Sequence, residues 1–319
     1  MSAAGLALGY GADLALGDPR RGHPVAGFGT VALALERRLY GPSRVRGMLF
    51  TGVLVGAAAC AGQLLSRLLG RPAALALLTW VALGGRSLRG EAAVVAAHLQ
   101  RGDLDAARRS LPALAGRDAA ELDADAIARA VVESVAENTS DAVVGALLWG
   151  AAAGPAGVAA YRAANTLDAM VGHRTPRYER FGWASARLDD ALGWPAARAG
   201  AGLTALCSTA PLRTWRVLRR DGTAHPSPNA GRMEAAFAGA LGLTLGGPLA
   251  YGGRIELRPS LGDGRPPAAD DVGRACRLSS RVGVAALAAS VAAVRVREGR
   301  ATVRGRRRRT DLPTVGSGR

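Results

Sequence analysis

Residues 133–170 read ESVAENTSDAVVGALLWGAAAGPAGVAAYRAANTLDAM, and the middle of this stretch decides the fold. Positions 142–161 carry no charge, which is long enough for one span of roughly 20 apolar residues. Gly150, Gly154, Pro155 and Gly157 interrupt that run, and proline removes a helix donor and clashes with the preceding turn. Two halves of about ten residues are each too short for a bilayer core of ~30 Å. The pattern predicts a helical hairpin that dips in and returns. Such a hairpin keeps the polar cluster before it (133–141) on the same side as the cluster after it (161–174). A straight span would part them.

Those clusters stand out against the rest of the chain. Among 319 residues there is no lysine, and Asn138, Asn165 and Asn229 are the only asparagines. Each lies in a dense polar segment: ESVAENTSD (133–141), YRAANTLDAM (161–170) and HPSPNAGRMEAA (225–236). Two share the pattern N-T-x-D, and His23, His173 and His225 fall in or beside similar segments. Compositional drift would scatter such residues, so chemistry is expected where they gather.

Further charge-free stretches occupy 47–66, 72–85, 199–212, 235–253 and 282–294. A soluble Ala-rich bundle is the alternative to a membrane protein, since Ala and Gly are weakly hydrophobic and mean hydropathy is only +0.11. The first two stretches pair as a hairpin around Arg67–Arg71. Arg37, Arg38, Arg44 and Arg46 then share a face with the arginines of 86–129, a face expected to be cytoplasmic. The expected fold class is all-α: a polytopic integral-membrane helical bundle with re-entrant or broken helices and a cytoplasmic helical insertion. It divides into an N-terminal motif and membrane hairpin (1–90), amphipathic cytoplasmic helices (91–130), a membrane-associated catalytic region (131–297) and an Arg-rich disordered tail (298–319). Residues 251–280, rich in Gly and Pro, read as an ordered loop with a short strand at 254–258. The expected location is the cell membrane, multi-pass, with the active site facing the cytoplasm.

The net charge of +16 is not a nucleic-acid signal. All 41 basic residues are arginine, and nine of them lie in 295–319 against Glu298 and Asp311 alone. Aromatic residues make up 4%, too few to build base-stacking platforms. No nucleic-acid partner is expected. Cys60, Cys207 and Cys276 are far apart with no C-x-x-C pair, and Cys60 and Cys207, in apolar runs, read as small buried hydrophobes rather than ligands or disulfides.

Taken as regular helix, 129–141 aligns Arg129, Glu133, Glu137 and Asp141 in one stripe. Like charges four apart repel by a few tenths of a kcal/mol each, so the stripe suits a cation: Mg²⁺ held by carboxylates together with substrate phosphates. The plainer alternative is a solvated face. In 161–174, Tyr161, Asn165 and Asp168 align, with Arg162 and Arg174 placed for bidentate anion binding. RYERFGWASARLDD (177–190) sets three aromatics beside Arg187, Asp189 and Asp190, which a surface salt bridge also explains. In HPSPNAGRME (225–234), Ser227 or Asn229 can cap a helix, and a helix N-terminus also binds anions. GDPRRGHPV (17–25) is a turn carrying Asp18, Arg20 and His23. Walker A, G-x-S-x-G, H-E-x-x-H and C-x-x-C motifs are all absent. Nucleotide use must therefore rest on Arg, Mg²⁺ and backbone donors.

These blocks, in this order, resemble the adenosylcobinamide-phosphate synthase family, the CbiB/CobD-type proteins of cobalamin biosynthesis. The matching residues are GDPRRGHPV (17–25), GRD (116–118), ARAVVESVAENTSDAVV (128–144), YRAANTLDAMVGHRTPRYERFGWASARLDD (161–190), SPNAGRMEAAFAGALGLTLGG (227–247) and GD (262–263). The departures are small: Arg232 and Met233 replace a bulkier pair, and His173 stands where Tyr is common. The resemblance implies an integral membrane enzyme joining (R)-1-amino-2-propanol, or its O-phosphate, to a carboxylate of adenosylcobyric acid, with ATP and Mg²⁺. Its expected partners are those substrates, membrane lipid and other late corrinoid-pathway membrane enzymes. Glu137, Asp141 and Asp168 are then the expected Mg²⁺–ATP ligands, and Arg162, Arg174 and Arg187 the phosphate binders. Asp189, Asp190 or His225 is the expected base. Asp18, His23, Asn138, Tyr161, Asn165, Ser227, Asn229 and Glu234 complete the expected substrate-binding set. Two competing readings are a Mg²⁺-dependent transferase of isoprenoid diphosphate or CDP-alcohol, and a non-catalytic transport or assembly subunit. The first would need paired Asp clusters on facing helices, but each N-T-x-D supplies one Asp.

Overall fold

Alanine and leucine, the strongest helix formers, fill the charge-free stretches, and helices form over most of them. The computed structural model describes residues 2–19, 22–116, 119–251 and 254–310. Arg20, Arg117, Asp118 and positions 311–319 of the tail lie outside the described residues. The helices are α1 (Ala3–Leu16), α2 (Pro24–Leu39), α3 (Arg44–Leu69), α4 (Arg71–Leu83), α5 (Gly85–Gln100), α6 (Leu104–Ser110), α7 (Ala124–Asn138), α8 (Gly145–Val171), α9 (Trp183–Cys207), α10 (Pro211–Asp221), α11 (Ala230–Leu241) and α12 (Ala269–Thr310). Between α11 and α12 stands an antiparallel pair, β1 (Leu245–Tyr251) and β2 (Arg254–Leu261), in register Leu245 to Leu261 and Tyr251 to Arg254. The expected all-α class is corrected to mostly helical with one β-hairpin.

The break in α8 falls at Gly154, whose φ of 69° and ψ of −150° lie outside the helical region, with Pro155 next. Beyond it the chain doubles back. Tyr161 packs against Gly145 so closely that a Cβ there would collide with its ring, and a Cβ on Gly150 would lie 3.1 Å from Val158. On an unbroken helix, positions 145 and 161 would stand about 24 Å apart. The two halves therefore form a helical hairpin closed at Gly154.

The entry to that hairpin departs from regular helix. Thr139–Val144 widen into a π-helical segment between α7 and α8, a local insertion often found at functional sites. It takes Asp141 off the regular spacing that Glu133 and Glu137 keep on α7. Glu133 is buried and accepts from the Gly246 amide at 2.7 Å, tying α7 to β1. Glu137 and Asp141 turn toward α9. Thr139, also buried, donates to Ser279 Oγ at 2.7 Å and anchors the segment to α12.

Three helical stretches are long and apolar enough to cross a bilayer: Arg44–Leu69, Ala124–Val171 and Ala269–Arg300. On α3, Met48, Leu49, Val53, Leu64 and Leu68 are all about half exposed or more, an apolar surface that water-soluble monomers rarely show. These features fit a membrane protein. Two expected membrane stretches are corrected. The 72–85 run forms the 13-residue α4, which rises only about 20 Å and cannot complete a spanning pair with α3. The 235–253 run is split where α11 stops at Gly242 in left-handed geometry, and the rest becomes β1. Toward the C-terminus α12 stays helical to Thr310, past residue 298, where the tail is expected to become disordered.

Two apolar clusters hold the helices. The larger joins Leu6, Leu75, Ile127, Leu147, Phe237 and Val282; the smaller joins Phe50, Leu54, Leu167 and Phe181 between α3, α8 and the segment leading into α9. The smaller cluster fixes the start of α9, and with it Asp189 and Asp190, against the returning half of α8.

Candidate active site

The hairpin delivers its two polar ends to one place. Asp141 lies within electrostatic reach of Glu137, Asp189 and Asp168, so four carboxylates from the α7–π segment, α8 and α9 face a common space. The Asn165 amide faces the Asp189 carboxylate and favours its charged form, while its Oδ1 accepts from Arg162 Nη1 at 3.1 Å. The Arg162 bond orients the asparagine amide, and the guanidinium lies within electrostatic reach of Asp141 and Asp189. Burial, reinforced by the charge of Asp168, pushes the Asp189 carboxyl up to about 7. Asp190 is raised by burial too, but Arg187 and Arg174 oppose the shift; Arg187 Nη1 lies 3.4 Å from Asp190 Oδ2.

The N-terminal turn joins the same space from the other side. Asp18 is within electrostatic reach of Arg162, and His23 Nε2 stands 3.8 Å from Asp18 Oδ1. His23 Nδ1 accepts from the Val25 amide at 3.1 Å and so caps α2. Among the described residues, the buried Tyr161 Oη, Arg162 Nε and Asp18 Oδ1 around this space have no hydrogen-bond partner. Such orphans are rare in native interiors, and here they converge beside the acids.

The remaining expected residues take structural places. Asn138 donates back to Ser134 O at 2.9 Å. Ser227 Oγ accepts from the Asn229 and Ala230 amides at 3.3 and 3.1 Å and so shapes the entry to α11. The Asn229 side chain donates to the Asp190 carbonyl at 2.9 Å, locking α11 to α9 behind the acids. His225 sits in a buried polar cluster. It is buried, Nδ1 accepts from Ser227 N at 3.0 Å, and Nε2 stands 2.9 Å from Arg258 Nη1 with Glu234 at 3.9 Å. Both ring nitrogens are engaged in that cluster, and Glu234 belongs to it as well.

The expected metal ligands need a narrower statement. Among the described residues no group of three His, Cys, Asp or Glu side chains closes into a metal-holding set, so Glu137, Asp141 and Asp168 do not form an all-protein cage. They fit Mg²⁺ in its commoner mode, in which one or two carboxylates and substrate phosphates share the ion with water. The gathered like charges and the orphaned donors favour a bound cation with anionic oxygens.

Two positioning groups carry little sequence signal. Glu36, buried on α2, accepts from Arg177 Nη2 at 3.0 Å and Tyr178 Oη at 2.9 Å, holding the segment before α9. Asp13, buried on α1, accepts from the Arg86 amide at 3.2 Å and caps α5. Asp13 is a lone acid inside an apolar run, whereas Glu36 stands where such a run meets Arg37 and Arg38.

A family model for CobD/CbiB proteins matches residues 6–279. The chain is 50% identical over 295 residues to the cobalamin biosynthesis protein CobD of Mycobacterium tuberculosis, covering 90% of this chain and 94% of that one. It is 42% identical over 294 residues to the protein of the same name from Rhodobacter capsulatus (88% and 93% covered). Against that of Chromobacterium violaceum it is 44% identical over 280 residues (84% and 89%). No solved structure gives a significant match. Since the match takes in the N-terminal turn, the broken helix and the acids of α9 alike, the chain belongs to the CobD/CbiB family and has a role in cobalamin biosynthesis.

Proposed function

We propose that the protein is the ATP-dependent ligase of that role, forming an amide between (R)-1-amino-2-propanol, or its O-phosphate, and adenosylcobyric acid. The observation that carries this reading is the convergence of Glu137, Asp141, Asp168 and Asp189 beside Arg162. A carboxylate becomes a useful electrophile only when its oxygen is made a leaving group. Activating it by phosphoryl transfer calls for positioning and for cations around spreading negative charge.

In this reading Glu137, Asp141 and Asp168 hold Mg²⁺ with the nucleotide phosphates, which neutralises charge on the transferring group. Arg162 faces the phosphoryl oxygens from inside, and Arg174 and Arg187 face them from the exposed edge. Asp189, titrating near neutrality, takes the proton from the ammonium so that the free amine attacks the acyl phosphate, forming the C–N bond as the C–O bond breaks and inorganic phosphate leaves; a base is most effective with a pKa near the working pH. Asn165 and Arg162 hold that carboxylate in place. Asp18 and His23 close the opposite wall. The hairpin enters the bilayer and returns, opening the site to the cytoplasm, where the triphosphate is.

The test is product analysis by mass spectrometry with purified protein, adenosylcobyric acid, ATP, Mg²⁺ and each of the two amines separately. An amide product in either reaction, with ATP consumed only when both acid and amine are present, supports the ligase. ATP-independent product, or none with either amine, removes it.

A further inference from the structure

At the far end of α9, about 27 Å along the helix from Asp189, lies a second polar cleft. It encloses about 150 Å³ and is lined by Ser208, Thr209, Leu241, Arg274, Arg277 and Arg281, among others. The three arginines sit at i, i+3 and i+7 on α12 and so share one face. Arg274 is already used: its guanidinium lies 2.6 Å from Asp271 Oδ1 and donates to the Leu241 carbonyl at 2.8 Å, closing the end of α11. Arg277 and Arg281 are different. Among the described residues neither makes a hydrogen bond or an ion pair. The two acids at the start of α12 are taken, Asp271 by Arg265 and Arg274, and Asp270 by Gln100.

Arg277 and Arg281 are exposed at the rim of this cleft, and an anion between two such guanidiniums relieves their mutual repulsion. Ser208 is held in place there by the Ala210 amide, which donates to its Oγ at 2.9 Å, and Thr209 adds a second hydroxyl to the wall. Paired guanidiniums with hydroxyls are the donor set that suits tetrahedral phosphate oxygens. The location adds to this. Arg281 immediately precedes the charge-free run 282–294 of α12. A long arginine side chain beside an apolar run can extend to the phosphates of a lipid surface.

We infer that the cleft between the ends of α9 and α11 and the arginine face of α12 is a phosphate-binding site, separate from the acid cluster. Its ligand is a phosphate group held by Arg277 and Arg281, from a phospholipid headgroup or from a soluble phosphate.

Full-length protein in nanodiscs distinguishes these sources. Wild type, Arg277→Gln/Arg281→Gln and the charge-preserving Arg277→Lys/Arg281→Lys are compared in two arms. One counts phosphatidylglycerol retained from mixed phosphatidylcholine–phosphatidylglycerol discs by native mass spectrometry. The other titrates inorganic phosphate, at constant ionic strength, into phosphatidylcholine discs. Retention or binding in wild type that the Gln variant weakens about tenfold or more, and the Lys variant partly restores, supports the site; the responsive arm names the source. Equal behaviour of wild type and Gln variant in both arms overturns it. Neither outcome bears on the acid cluster, since no residue is shared.

Discussion

Asp189 is the residue on which the chemistry turns. Its carboxyl is pushed up to about 7 by burial and by Asp168, whereas in the unfolded chain it loses its proton near about 4. Between those values the unfolded state binds fewer protons than the folded one, so folding stability falls as pH rises from about 4 to about 7 and then levels. Thermal unfolding in detergent without divalent cations should show this decline, and Asp189→Asn should flatten it. An unchanged profile in the variant would place the pH response elsewhere. The same substitution should lower turnover by about 10²–10⁴-fold, the usual contribution of a positioned base, with little change in apparent affinity for ATP. Sequence patterning marks Asp189 and Asp190 only as acids after an arginine. What separates them is tertiary: Asp190 has Arg187 and Arg174 beside it, while Asp189 faces Asp168 and Asn165.

At the scale of elements, the broken helix does the gathering. Its turn was legible because Gly154 and Pro155 are local instructions: one residue that tolerates φ of 69°, followed by one that cannot donate. Replacing Gly154 by Ala forces a side chain into left-handed geometry at a cost of roughly 1–2 kcal/mol, which should appear as lowered unfolding free energy in detergent together with reduced activity. A variant as stable and as active as wild type would mean the turn is not held at Gly154. Asn229→Ala, which removes the donor to the Asp190 carbonyl, should cost about 1 kcal/mol by the same measurement. The π-helical segment at Thr139–Val144 was not legible. Nothing in N-T-S-D forbids regular helix; the widening comes with Thr139 bonding to Ser279 on α12 and Glu133 to the Gly246 amide, partners more than a hundred residues away. The strands were half legible. Arg254–Arg258 reads as extended, but its partner is hidden in an apolar run that looks like one helix until Gly242, Gly246 and Gly247, all at positive φ, break it.

At the scale of the whole molecule, membrane residence and site location are one question. The apolar outer face of α3 and the charge-free part of α12 want lipid, while the acids and arginines want water and phosphate. Both are satisfied if the α8 hairpin returns to the face it left. In a background lacking Cys60, Cys207 and Cys276, single cysteines at positions 137 and 168 should react with the same membrane-impermeant reagent from the same side of sealed vesicles. Labelling from opposite sides would divide the pocket. The arginine-rich faces could not settle orientation from sequence, because α4 is too short to bring the chain back as a full span.

The most direct measurement is Mg²⁺-dependent amide formation by Asp141→Ala and Asp168→Ala, each with membrane insertion verified. If the acids drawn together by the hairpin hold the metal and triphosphate, both variants insert normally and lose product by about a hundredfold or more. Turnover equal to wild type in both would contradict the account.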